Sequence, residues 1–275
     1  IINVNGVNNT GVAVRSSGTG ELNNNGIVNT GMSNLGVYND GTFNMNGGSI
    51  VSNGLASVGI YSETGNTDTN LKGGSIRAEN GGIGLYAGNS SVMNLHEGLN
   101  LSSGNKGLLF YNYDNSTVSG KYDLTGAVGA SVENGGSAFY VKEGTSITDY
   151  LNNSFTGSGK LELTMDSGSK LYILEGTGTT LSLSSLDGMV NPGSSLTNNV
   201  IISSASASDY IPLSMNKGAL ILDRNVNLDS SSELYKRSEF SSVKVDLTSG
   251  NSITGSQSDQ TGIAQRNYEN SSGKD

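Results

Sequence analysis

The sequence predicts an all-β fold: a right-handed parallel β-helix (a solenoid) of roughly eleven coils at about 24 residues each. Three observations predict it. A short phrase recurs at a fixed period, the runs between turn formers are strand-like, and no stretch carries a sustained 3.6-residue apolar period. The phrase is Gly36-Val37-Tyr38-Asn39, again Gly59-Ile60-Tyr61-Ser62, and again Gly84-Leu85-Tyr86-Ala87. Looser copies open at Gly11 and Gly107, which makes the steps 25, 23, 25 and 23 residues. A second phrase follows the first: Met45-Asn46-Gly47-Gly48-Ser49-Ile50, then Leu71-Lys72-Gly73-Gly74-Ser75-Ile76, then Leu95-His96-Glu97-Gly98-Leu99.

The period selects the architecture. Propeller blades need about 40 residues or more, and leucine-rich repeats need a dense Leu framework that this chain lacks. Short runs rich in Val, Ile, Leu and Tyr, stacked coil on coil, pair in parallel about 4.8 Å apart, and parallel crossovers are right-handed. Eleven such coils make a rod of about 50–60 Å.

Alternation along each strand assigns the faces. Val12, Val37, Ile60, Leu85 and Leu108 are placed inside, with Tyr38, Tyr61 and Tyr86 outside as an aromatic ladder. The reverse facing also satisfies the alternation; aliphatic-in is preferred because aliphatics fill a narrow tube better. The recurring glycines are assigned to corners that need φ > 0.

Residues 1–150 form the regular short-repeat region and 151–275 a continuation with longer coils. Asn3, Asn5, Asn8, Asn9 and Asn23 to Asn25 crowd the start, either as turn formers or as stacked amide ladders. Tyr140 falls 29 residues after Tyr111, and a lengthened turn at Gly126–Gly136 is expected to absorb the excess. Alternating strands are expected at Leu161–Met165, Leu171–Leu174, Leu181–Leu183, Ala219–Leu222 and Val243–Leu247. Two excursions from the coil are expected, at 186–196 and 229–240. In the second, Ser230 and Glu233 have capping-box spacing, and Leu234 to Arg237 fits one helical turn. Loops that leave a rigid solenoid are where such scaffolds carry binding groups.

Composition limits the function classes. Charged residues are 14 %, against about a quarter in ordinary domains, and hydrophobics are 34 %; the regular placement of the apolar residues argues for a thin-cored solenoid rather than disorder. Formal net charge is −9, which speaks against nucleic acid as partner, since phosphate binding needs basic stripes, and weakly favours basic partners. No apolar run is long enough to span a bilayer as a helix. There is no Cys, so disulfides, thiolate metal sites and Cys nucleophiles are excluded. The chain opens in repeat-like text at Ile1-Ile2-Asn3-Val4, and Gly262-Ile263-Ala264 resembles the start of another coil; the expectation is a slice of a longer protein.

Little in the chain points to chemistry. His96 is the sole histidine, read as an exposed turn residue, and no cofactor or metal is expected. Gly81-Gly82-Ile83-Gly84-Leu85 is close to a calcium-binding nonapeptide, but Tyr86 stands where the Asp is needed. Asp166, Asp187 and Asp209 lie about one coil apart, the one arrangement that fits paired carboxylates for glycoside hydrolysis; their turn contexts speak against it. Binding is the stronger reading. Its candidates are the ladder Tyr38, Tyr61 and Tyr86, and the excursion residues Tyr235, Lys236 and Arg237. Exposed Tyr also has a plain structural reason, since aromatics favour strands.

The Gly-x-Tyr phrases alternating with Gly-Gly-Ser-Ile, in an Asn-rich, Cys-free chain, resemble the passenger domains of type V autotransporters, and among them the very large adhesins of fusobacteria. The likeness covers residues 6–141 best and rests on repeat grammar, so it transfers no functional residue. It implies a secreted right-handed β-helix at the cell surface, held in the outer membrane by a C-terminal barrel outside this chain. It also implies non-covalent binding of bacterial or host surface proteins or glycans, as in coaggregation and virulence. The alternatives are a polysaccharide-degrading β-helix enzyme and a non-binding stalk.

Overall fold

The computed structural model describes residues 1–112, 119–142, 147–174, 180–182, 195–205, 211–215, 218–222, 226–227, 238–240, 243–247 and 253–254. These residues form a parallel β-solenoid, as the repeat predicts. Each coil contributes one strand to each of three long sheets, and every third strand in the chain stacks on the last. The first sheet holds eight strands, from Ile2–Val4 to Val200–Ala205; the second holds nine, from Thr10–Val14 to Ser238–Phe240; the third holds six, from Thr19–Leu22 to Phe155–Gly157. Among the described residues the longest sheet holds nine strands, fewer than the eleven coils expected, and coils lengthen along the chain. All five later strands expected from alternation are present within a residue or two, at Lys160–Met165, Lys170–Leu174, Thr180–Ser182, Gly218–Leu222 and Val243–Leu247.

Strand register turns sequence repeats into columns. In the second sheet Val12, Val37, Ile60, Leu85, Phe110, Phe139 and Tyr172 lie one above another, and from Val37 onward each is nearly inaccessible to solvent. Aliphatic-in is thus the observed facing. Leu108 is not in this column: it pairs with Ile83, and Phe110 takes the inner place. The Gly107 phrase is a false start, two residues out of register with the true repeat at Leu109.

The glycines of the repeat serve packing rather than a turn. Gly11, Gly36, Gly59 and Gly84 are absent from the residues with positive φ. A Cβ on Gly36 would lie 2.6 Å from the carbonyl oxygen of Gly59, and one on Gly59 would lie 2.7 Å from that of Gly84. Successive coils approach too closely there for any side chain. The expected left-handed glycines are those of the second phrase, Gly48 and Gly74, with φ of 83° and 91°.

Coil length varies at one corner, between the second and third sheets. Tyr86 and Met93 flank it in one coil, Tyr111 and Tyr122 in the next, Tyr140 and Phe155 in the one after, so the connection grows from 6 to 10 to 14 residues. The expected long turn at Gly126–Gly136 is instead the strand Ala127–Val132, in unbroken register with Leu99–Ser103. The third connection contains an unexpected helix α1, Ile147–Ser154. Its Ile147, Tyr150 and Leu151 are buried, the i, i+3, i+4 pattern of one apolar helix face.

The widened coils are filled with rings. Phe110, Tyr122, Phe139, Tyr150, Phe155 and Tyr172 form one buried cluster with neighbouring centroids 5.0–6.5 Å apart. The Tyr122 hydroxyl donates toward the carbonyls of Leu85 (3.1 Å) and Tyr111 (2.9 Å), and that of Tyr150 donates to Asn112 Oδ1 (3.1 Å). Asn side chains do form ladders between coils. Asn70 donates to Asn44 and Asn94 to Asn70 on the third sheet, Asn29 to Asn3 on the first, and Asn80 to Asn53 and Asn105 to Asn80 at a corner.

Candidate functional site

The second sheet carries the most ordered outward-facing chemistry. Tyr38, Tyr61 and Tyr86 stand in register on its outer face, as the alternation requires, and Tyr111 and Tyr140 extend the column. Centroids along it are 5.9, 4.8, 4.7 and 5.0 Å apart. The rings of Tyr61, Tyr86 and Tyr111 meet edge to face, the geometry aromatic quadrupoles prefer. The column ends where Ile173 pairs with Tyr140. All five tyrosines are half-buried. At the lower end the Arg15 guanidinium sits over the Tyr38 ring, 5.0 Å from its centroid. Burial raises the pKa of the Tyr61 phenol, so it stays a neutral donor throughout the physiological range.

A second column flanks the tyrosines: Leu35, Val58, Ile83 and Leu108 are in register on the same strands. The glycine between the two columns reveals their facing. A Cβ on Gly36 would point at Thr30 Oγ1 and Ile50, inside the coil, and Val37 is also buried inside. Two successive inward residues shift the alternation, so Leu35 and Tyr38 both face out. In agreement, none of Leu35, Val58, Ile83 and Leu108 belongs to the contiguous core; Leu35 and Ile83 are partly exposed, while Val58 and Leu108 are covered by their neighbours. This pairing was visible in the sequence as an aliphatic residue directly before Gly36, Gly59 and Gly84.

The other sequence candidates fare differently. Tyr235, Lys236 and Arg237 lie outside the described residues, as do most of both expected excursions. Asp187 and Asp209 lie outside them too. Asp166 occupies a turn, where its carbonyl accepts from the Ser169 amide (3.1 Å) and hydroxyl (2.6 Å). His96 ends the strand Val92–His96, half-buried, rather than standing in a turn. Among the described residues no group of three or more His, Asp or Glu is placed to hold a metal, and no helix is long and apolar enough to cross a membrane. The outer face of the second sheet offers ring edges, phenol hydroxyls and aliphatic surface, which equips it for non-covalent contact.

Fold and face together define a parallel β-solenoid bearing an outward aromatic–aliphatic stripe. Compared with known protein families, curated proteins and solved structures, the chain matches none of them.

Proposed function

We propose that this chain is an extracellular segment of a bacterial surface adhesin, anchored in the outer membrane through a part of its parent beyond these residues. It acts by binding a surface protein or glycan of another bacterium or a host cell, not by catalysis. The observation that carries this reading is the outward stripe: five half-buried tyrosines in register, flanked by the partly exposed Leu35 and Ile83 and about 20 Å long at one strand spacing per step. A rigid face of aromatic anchors is what hot-spot contacts are made of. The repeat grammar resembling autotransporter passengers supports the same reading.

The test is binding of the purified chain to intact bacterial and host cells, beside a Tyr61→Ala/Tyr86→Ala variant of unchanged fold. Saturable binding that weakens at least tenfold in the variant is expected, the loss typical of a truncated aromatic anchor. Equal binding by both proteins would remove the stripe from the site. A second reading, a spacer without ligand, is favoured by one observation: the rings use much of their surface on one another. It predicts no saturable binding to any cell.

A further inference from the structure

The outer face of the first sheet carries a second feature. An open groove of about 450 Å³ lies across its first coils, lined by Asn3, Asn5, Asn29, Gly31, Val51 and Asn53. Its size falls within the ~300–1,000 Å³ of small-ligand sites. Gly31 makes it. In the outward column Asn5 lies on one side of Gly31 and Asn53 on the other, so a missing side chain leaves the hollow. The backbone does not demand this glycine: its φ is not positive, and an added Cβ would meet nothing closer than the Val4 carbonyl oxygen at 3.4 Å. The repeat glycines nearby are sterically obligatory; this one is not.

The lining is neutral throughout. Asn29 donates to Asn3 (2.8 Å) and Asn80 donates to Asn53 (2.7 Å), so the ladders hold these amides in place. That leaves Asn3 Nδ2, Asn29 Oδ1, Asn53 Nδ2 and the Asn5 amide to offer donors and acceptors to a ligand. Val51 supplies an apolar surface within the groove. Met32 and Leu55, in the turn at its edge, are 53 % and 69 % exposed, more aliphatic surface than an isolated turn needs. Fixed amides alternating with aliphatic surface match a polyhydroxylated ligand with apolar C–H faces. No carboxylate or cation lines the groove, and the chain's charge of −9 repels anions.

We infer that this groove is a binding site for neutral glycans. The inference rests on the binding reading above but uses a different face, so the two fail separately. The experiment titrates the full chain with neutral hexasaccharides built on glucose, mannose and N-acetylglucosamine, and with an oligogalacturonate. It repeats the titration with Gly31→Val, which fills the hollow, with Asn53→Ala, and with Tyr61→Ala on the other face; melting curves confirm the fold. The expected result is binding of at least one neutral glycan, weakened tenfold or more by Gly31→Val and several-fold by Asn53→Ala. Tyr61→Ala should leave it unchanged, and the charged glycan should not bind. Binding that survives both groove variants but is lost in Tyr61→Ala would overturn the groove and leave the adhesin reading intact on the stripe. Failure of the native chain to bind any neutral glycan would also overturn it, while cell binding would still decide the adhesin reading.

Discussion

The coils up to Gly107 and those from Leu108 to Tyr172 solve the same packing problem in opposite ways. One column shows it. Gly11, Gly36, Gly59 and Gly84 occupy it in the first coils; Leu109, Ala138 and Leu171 occupy it later, all buried. Where the coil is narrow, the column admits no side chain, and Val, Ile, Leu, Met and the single ring of Phe43 fill the tube. Where the corner connection lengthens to 10 and then 14 residues, the tube widens and six aromatic rings and a helix join its filling. A repeat period thus fixes the strand spacing, while the connection length at one corner sets the cross-section.

The largest expected effect lies in the wide coils. Phe139 touches Phe110, Tyr150, Phe155 and Tyr172, so Phe139→Ala should cost about 3–5 kcal/mol. Ile60→Val in the narrow tube should cost about 0.5–1.5 kcal/mol. Urea unfolding of both variants measures the contrast, and equal losses would break it. Next comes the column itself. Gly59→Ala forces a Cβ to 2.7 Å from backbone and should cost about 1–3 kcal/mol, as overpacking does. Leu109→Gly should destabilise as well, because there the side chain is part of the core. Opposite substitutions both harmful at one column would be the signature of the two cross-sections.

Smaller effects test the joint between the regions. Arg77 of a narrow coil forms a fork with both carboxylate oxygens of Glu133, at 2.6 Å each, and also contacts Glu79. Gly104 lies between them, and a Cβ there would sit 2.9 Å from Arg77 Nη2. The hydrogen bond from Arg77 lowers the Glu133 pKa, against partial burial that raises it. A carboxyl whose pKa is lowered by folding stabilises above its unfolded value of about 4.3 and loses that contribution as pH falls through the folded value. Both side chains are about a third exposed, so Glu133→Gln should cost no more than about 1 kcal/mol at neutral pH. The difference from the native chain should vanish in acid and shrink in about 1 M salt; a difference that persists at low pH would mean that the pair does not act through charge. The smallest effect is at Thr30, whose buried Oγ1 has no hydrogen-bond partner. Thr30→Val keeps the shape and should leave the melting temperature unchanged or raise it, by at most about 1 kcal/mol in stability.

What could be read from the sequence follows from these differences. The tyrosine column and its facing were legible because Tyr38, Tyr61 and Tyr86 recur in nearly constant words. Phe110 was not placed inside because Gly107 imitates the phrase two residues early. Helix α1 escaped notice because one short apolar face, Ile147, Tyr150 and Leu151, is no stronger a signal than the strands around it. In the wide coils the rings sit among aliphatics such as Leu124, Val128 and Leu163, and nothing local announces that the tube widens. The groove over Gly31 was invisible for a different reason: its walls come from three coils, and a glycine that lacks a steric reason looks no different in sequence from one that has it.

Every assignment of an outer face rests on strand register, and the step from narrow to wide coils is where register is hardest to read. Ser102 and Ser131 are partners across that step. The chain has no cysteine of its own, so a Ser102→Cys/Ser131→Cys variant gives a clean readout. Parallel neighbours about 4.8 Å apart lie within reach of a disulfide. Mild oxidation should remove both free thiols within one monomeric chain, with Ser102→Cys/Gly129→Cys as the out-of-register control that stays reduced. A reduced Ser102→Cys/Ser131→Cys protein beside an oxidised control would contradict the register, and with it the placement of the stripe's upper half.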